Sequence, residues 1–456
     1  MKSERSRPPK NLLHPCRKIQ VNDRKDLIFL SGNVIAIFSL LVLIGAIAFG
    51  FIRKVNVGVL AMGLALIVGK MVGMSDKDIY GGWGTNLFII LLGTTFLFGI
   101  LQANGTLELM ARKIVAAAGR QAKMIPWALF IMGLFISAVG PGVVPSFAMV
   151  AMFAVPLAKV MGVEMKQTLC LTTVGQYGSL AGSLTPIAAS GVIATNLSRE
   201  IGIEGLALPM NISIITVSVI GGIIAFFVLD GHKIKGENPY KLSDLPKFNG
   251  KQTLSLLGVV AMVVIVLLTQ YHIGLVAFAV SVLLIILGAS NDKEALKFVP
   301  WGTLILVSGI GVLMNVVIVA GGISVLTDAI SSIMTSGTAV GIFATICGCM
   351  SWFSSTSGVV MPTLIPTIPG ILENLGATNL PPVALVCALC VGASMAGLSP
   401  ASSGGASVMA ALSNNGLEGE EANKIFIKLF LISACSVVIA AVFCFSGAIW
   451  LVPGMR

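Results

Sequence analysis

Apolar runs of about 18 to 25 residues, each long enough to cross roughly 30 Å of hydrocarbon as a helix, recur along the whole chain. Ten are legible, at about 31–52, 55–73, 85–103, 124–140, 166–184, 210–230, 253–270, 273–290, 301–320 and 425–451. Other apolar stretches are broken by Gly, Pro and Ser. With 456 residues, 56% hydrophobic and 11% charged, the chain falls far below the near-quarter charged usage of a soluble domain. The pattern predicts an all-α polytopic membrane protein.

The two halves carry the same anchors in the same order. Trp83-Gly84-Thr85 opens a long apolar span and Trp301-Gly302-Thr303 opens another. Further on, Gly178-Ser179-Leu180-Ala181-Gly182-Ser183-Leu184-Thr185-Pro186 matches Gly392-Ala393-Ser394-Met395-Ala396-Gly397-Leu398-Ser399-Pro400. Between the anchors lie two more breaks, Gly140-Pro141-Gly142-Val143-Val144-Pro145-Ser146 and Ser354-Ser355-Thr356-Ser357-Gly358. An apolar segment of about 15 residues on each side of such a break fits a helical hairpin that enters and leaves one face of the membrane.

Hairpins that do not cross leave five spans per half, and an odd number inverts the second copy. The expected organisation is a basic tail (1–30), a first inverted repeat (31–230, hairpin about 124–162, interrupted helix about 166–197), a cytoplasmic linker (231–252) and a second repeat (253–456, hairpin about 338–374, interrupted helix about 382–412). Arg112, Lys113, Arg120 and Lys123 follow the first anchor span, whereas its counterpart at about 322–337 holds only Asp328, so these two segments are expected on opposite sides. Counting back from a cytoplasmic 106–123 puts the N-terminus outside. The eight basic residues of the tail argue for inside, and both placements stay open.

The net charge of +10 sits in the tail and in short loops, where anionic headgroups account for it without a nucleic-acid partner. No cleavable signal pattern follows the tail. Cys387-Ala388-Leu389-Cys390 has redox spacing by letter, but no second pair or histidine lies near it, so small packing residues are the expectation. Lys70 is expected to snorkel from its span toward an interface, and the sequon letters at Asn104 and Asn196 carry little weight. An enzyme would need a base or paired acids at membrane depth, and the chain offers neither there.

Backbone freed from hydrogen bonds survives in a membrane only where it lines a cavity or is covered by protein. Broken helices expose N-termini that attract anions, and carbonyls that hold cations such as Na⁺. No Asp, Glu, Lys or Arg occurs between Lys123 and Lys159, Lys166 and Arg199, Asp328 and Glu373, or Glu373 and Glu418, so all four breaks are charge-free. The expected anion site comprises Pro141, Gly142, Ser146, Thr185, Pro186, Ser355, Thr356, Ser399, Pro400, Ser402 and Ser403. Ser137, Gly140, Gly182, Ser351, Ser354 and Gly397 are the candidates for Na⁺. Any one serine is more often explained by close helix packing than by a ligand; the pairing of breaks across the halves is what raises the site reading.

Residues 31–451 resemble the ion-transporter superfamily. The segment from Asn86 to Gly119 with Leu101-Gln102-Ala103-Asn104-Gly105-Thr106, the first hairpin and the Gly178–Ser190 stretch look like its malonate/dicarboxylate carrier branch, with a more distant similarity to divalent-anion/sodium symporters. In those symporters each hairpin tip bears Ser-Asn-Thr; here the second tip reads Ser354-Ser355-Thr356 and the first Gly140-Pro141-Gly142. The resemblance implies a scaffold domain, a transport domain that moves as an elevator, Na⁺ near each hairpin and a homodimer. The expectation is therefore an inner-membrane secondary transporter, not an enzyme, that needs no cofactor and moves a small carboxylate such as malonate or succinate with Na⁺. The rival is a cation/proton antiporter of the same superfamily, which would want a membrane-buried Asp that the breaks lack.

Overall fold

The computed structural model describes residues 32–455 except 54, 118, 120, 140, 141, 236, 237, 270, 353 and 378; the basic tail, Gly140 and Pro141 lie outside the described residues. Each apolar run named above contains a helix among the described residues. The first half is built from α1 (Gly32–Arg53), α2 (Val57–Met71), α3 (Thr85–Ala103), α4 (Thr106–Ala117), α5 (Ile125–Val139), α6 (Val143–Met161), α7 (Met165–Gly182), α8 (Ala189–Glu200) and α9 (Ala207–Val228). The second half follows with α10 (Gly250–Thr269), α11 (Ile273–Ile286), α12 (Trp301–Val319), α13 (Gly322–Ser331), α14 (Ala339–Ser351), α15 (Thr356–Asn374), α16 (Pro382–Met395), α17 (Ser403–Ser413) and α18 (Gly419–Phe445). No strand occurs among the described residues.

Seven helical stretches are long and apolar enough to cross a membrane, and α14 with α15, between which the chain turns by 117°, makes an eighth if taken as one span. Large apolar side chains stay exposed on the outer helices, among them Leu41, Val160, Leu268 and Ile286. In water that surface would be a liability; in lipid it is the required exterior. Lys70, near the end of α2, pairs with Asp76 just beyond the helix, at an exposed position. Asn104 is tied inward, donating to Ser255 Oγ at 2.7 Å and to the Ala289 carbonyl at 3.3 Å. Cys387 and Cys390 are free thiols buried in α16.

The interrupted helices form the centre. Every residue of α7 from Thr168 to Gly182 and of α16 from Ala384 to Met395 is buried. Protein surrounds them on all sides, so small residues serve close approach rather than an amphipathic stripe. α7 packs against both hairpin arms α5 and α6 and against α9; α16 packs against α14, α18 and α9. A Pro follows each within a few residues. Pro186 and Pro400 cannot donate a backbone N–H, and each pushes the residue before it out of the helical region, so neither helix continues through the break.

Around this centre the halves exchange equivalent contacts. Asn56, the N-cap of α2, donates to the Gly302 carbonyl at 2.8 Å, and His272, the N-cap of α11, bonds the Asn86 side chain at 2.6 Å. Residues 56 and 272, like 86 and 302, stand 216 positions apart, so the first half's cap meets the second half and the reverse. The same exchange recurs at glycine crossings. A Cβ on Gly309 would lie 2.1 Å from the Gly58 carbonyl oxygen, and one on Gly93 would lie 2.3 Å from that of Gly274.

The linker folds under the first hairpin. Asn238 donates to the Val115 carbonyl at 2.7 Å, closing the C-terminus of α4, and Tyr240 stacks on Phe153 of α6 with ring centroids 5.8 Å apart. At its start Asp230 holds Lys166 at 2.7 Å and Lys233 at 2.9 Å.

Candidate functional site

Four helices begin at the breaks: α6 behind Gly142, α8 behind Ala188, α15 behind Ser355 and α17 behind Ser402. Their starts converge on one cavity of about 320 Å³. Val143, Val144, Ser190, Thr356, Ser357, Ser402 and Ser403 reach it from the four N-termini; Ser394 and Gly397 come from the end of α16 and the turn after it. The opposite wall belongs to the outer helices, through Ile47 and Gly50 of α1, Val57 of α2, and Thr303 and Leu306 of α12. No lining residue is ionisable. Four helix N-termini thus turn their positive ends toward the cavity, a field that favours an anion.

The hairpin tips are held by side chains reaching to backbone. Thr185 Oγ1 donates to the Ala138 carbonyl at 2.6 Å, tying the first break to the end of α5. Ser399 Oγ donates to the Trp352 carbonyl at 3.2 Å, tying the second break to the end of α14. Thr356 Oγ1 donates to the Ala393 carbonyl at 3.0 Å and shares a 2.7 Å bond with Ser351. Ser146 bonds the Gly133 carbonyl at 3.0 Å and Ser179 at 2.7 Å, joining α6 to α5 and α7.

Among the sequence candidates, Ser354, Ser355, Thr356, Gly397, Ser402 and Ser403 line this cavity. Gly142 faces a smaller recess beside it, with a φ of 84° that a side chain rarely adopts. Ser146, Thr185 and Ser399 are turned away, their hydroxyls spent on the bonds above, and Pro186 and Pro400 terminate helices without reaching the cavity wall. Gly182 is packing: a Cβ there would lie 2.3 Å from the Leu134 carbonyl oxygen. Ser351 bonds Thr356, whereas Ser137, its counterpart at the first tip, is fully buried with no partner for its hydroxyl among the described residues.

Sequence reasoning missed Ser190 and Ser357, which share a 2.9 Å bond between the halves, and also Ser394, Thr303, and the walls from α1 and α2. Ser190, Ser357 and Ser394 lay inside the quoted motifs, so the repeat itself held the signal. The apolar lining had none. Gln176 was missed as well. Buried in α7, it donates to the Gly404 carbonyl at 2.8 Å in the first turn of α17.

A bundle of membrane-crossing helices, interrupted where it encloses a neutral, anion-favouring cavity, defines a membrane transporter. Residues 33–183 match the family model described as the N-terminus of the dicarboxylate carrier protein MatC. Two solved transporters share the fold. The YdaH transporter of Alcanivorax borkumensis, described as having an unusual topology, aligns with a TM-score of 0.56 at 12% identity over 90% of this chain and 98% of its own. MtrF of Neisseria gonorrhoeae, described with a class of antimetabolite efflux pumps, aligns with a TM-score of 0.51 at 12% identity over 81% of this chain and 83% of its own. No curated protein matches the sequence.

Proposed function

We propose that the protein is a secondary active transporter of the inner membrane that carries a small carboxylate, of the malonate or succinate kind, together with Na⁺. The observation that carries this reading is the meeting of four helix N-termini at one charge-free cavity. A carboxylate there gains N–H and hydroxyl donors and the positive ends of four dipoles, with no protein carboxylate to repel it. The carrier family matched by residues 33–183 supports the substrate class.

Na⁺ is the coupling ion suited to such a site, because it takes carbonyl and hydroxyl oxygens and needs no carboxylate. No group of three or more His, Cys, Asp or Glu side chains able to hold a metal occurs among the described residues. The unpartnered hydroxyl of Ser137 and the carbonyls at the tips fit that demand. A bound Na⁺ would add positive potential beside the carboxylate, so each favours the other.

The contacts exchanged at an offset of 216 positions support two inverted repeats, and a cavity between two walls suits alternating access. The hairpins and interrupted helices form the moving body. α1, α2 and α12 form the fixed wall it slides past. In proteoliposomes, labelled malonate or succinate should enter faster under an inward Na⁺ gradient than under an equal K⁺ gradient; equal rates dismiss Na⁺ coupling. Ser402→Ala with Ser403→Ala should raise the half-saturating concentration about thirtyfold or more, as expected for two lost hydrogen bonds to a charged group at no less than about 1 kcal/mol each.

A further inference from the structure

The hydrogen-bonding capacity of the cavity is one-sided. Thr303, Ser355, Ser394, Ser402 and Ser403 line it and find no protein acceptor for their hydroxyl protons among the described residues. All five belong to the second half. At the matching places, 214 positions earlier, Pro141, Leu180, Ala188 and Ala189 stand where Ser355, Ser394, Ser402 and Ser403 stand. From the first hairpin and interrupted helix the wall takes Val143, Val144, Phe147 and Leu180, with Ser190 as the one hydroxyl, bonded to Ser357. Pro145 also removes an N–H from the first turn of α6.

Beside the Ser190–Ser357 bond lies a recess of about 30 Å³ whose lining is mostly apolar, with Leu91, Ile193 and Leu304 from both halves, Thr95 already bonded to the Leu91 carbonyl, and Thr303. A carboxylate pressed against Val143 and Val144 would lose hydration and gain no side-chain donor from either of them. A methyl or ethyl group there would lose nothing and would fill apolar space.

We infer that the site selects a short carboxylate with its charge gathered at one end and hydrocarbon at the other, a 2-alkylmalonate-like ligand rather than an extended dicarboxylate. The charged end is served by the second-half hydroxyls, and the alkyl branch lies on Val143 and Val144 and enters the recess. This inference rests on the reading of the cavity as a carboxylate site.

Two isomers separate the cases. 2-Methylmalonate and succinate have the same atoms and the same charge and differ only in where the charge lies. In thermal-shift titrations of the purified full chain in Na⁺, 2-methylmalonate should reach half-maximal stabilisation at a concentration about tenfold below that of succinate, the discrimination an apolar pocket gives for one methyl-sized group. Val143→Thr, which puts a hydroxyl of similar shape on the first-half wall, should narrow that ratio. Val144→Thr, at a more exposed position, is the second test should the first variant not fold, as judged by its melting without ligand. Equal or reversed preference for the isomers in the wild type, or a ratio unmoved in folded variants, overturns the inference while leaving a carboxylate site in place. Stabilisation by neither isomer overturns both readings.

Discussion

Thr185 Oγ1 donates to the Ala138 carbonyl at 2.6 Å across 47 positions of sequence, and 214 residues later Ser399 repeats the bond to Trp352 at 3.2 Å, again across 47. In each half, the hydroxyl that precedes the proline of an interrupted helix fixes the last turn of the hairpin's first arm. A motif that suggests a ligand to an anion is here a clasp between two pieces of freed backbone. The clasp satisfies a carbonyl at a helix C-terminus that would otherwise face the membrane interior unpaired.

Thr185→Val should therefore act on the shape of the site rather than on a contact to substrate. Loss of one bond of about 1 kcal/mol is expected to raise the half-saturating substrate concentration about fivefold, while Thr185→Ser, which keeps the hydroxyl, stays close to wild type. Uptake by both variants over a range of substrate concentrations gives the answer. A Thr185→Ser variant as impaired as Thr185→Val would place the role in the methyl group instead.

Close helix approach gives a stability prediction. A Cβ on Gly178 would fall 1.9 Å from the Phe130 carbonyl oxygen, and one on Gly392 would fall 2.1 Å from that of Ala344, where neither neighbour is a movable side-chain end. Gly178→Ala and Gly392→Ala should each destabilise by about 1–3 kcal/mol or more through forced separation of α5 from α7 and of α14 from α16. Gly63→Ala in α2, where nothing lies within 4 Å, should be neutral or mildly stabilising through helix propensity. Melting of the detergent-solubilised variants compares the three directly.

The scaffold was legible because its signals are repeated: Trp-Gly-Thr openings, Gly-rich interrupted spans and proline breaks each occur twice, and each long apolar run contains a helix among the described residues. What was not legible is which way each hydroxyl turns. Ser146, Thr185 and Ser399 resemble Ser402 and Ser403 in sequence, yet the first three face backbone carbonyls or a neighbouring serine and the last two face the cavity. That choice is set by the local path of a broken helix, which no period encodes. The contributions of Ile47, Val57 and Leu306 escaped for another reason, since an apolar residue on a membrane helix is unremarkable until its neighbours are known.

Gln176 offers a separate handle on the second break. Its amide crosses from α7 to the Gly404 carbonyl at 2.8 Å and also reaches Ser407 Oγ at 3.4 Å, so a first-half side chain sets the first turn of α17, directly behind Ser402 and Ser403. Gln176→Leu has similar volume and no donor. It should raise the half-saturating concentration several-fold and lower the maximal rate little, because the N-terminus it steadies belongs to binding. A fall in maximal rate with unchanged half-saturation would assign Gln176 to the movement between faces.

The neutrality of the cavity fixes how transport should depend on pH. No ionisable side chain lines it, so between pH 5 and 8 the rate should follow the ionisation of the substrate and not of the protein. Asp230 lies at the linker's start, where the hydrogen-bonded ammonium groups of Lys166 and Lys233 hold its carboxyl down to about 2. A folded-state value below the ordinary one means that any stabilisation it gives is complete above the unfolded value near 4 and lost only as pH falls toward 2. It therefore contributes no slope in the measured range. Uptake of a weakly acidic carboxylate should rise or fall as its own protons leave, whereas a sulfonate analogue, ionised throughout, should give a flat profile. A sloped profile for the sulfonate would require a titrating protein group in the transport cycle, and the antiporter reading, with its membrane-buried acid, would then regain force.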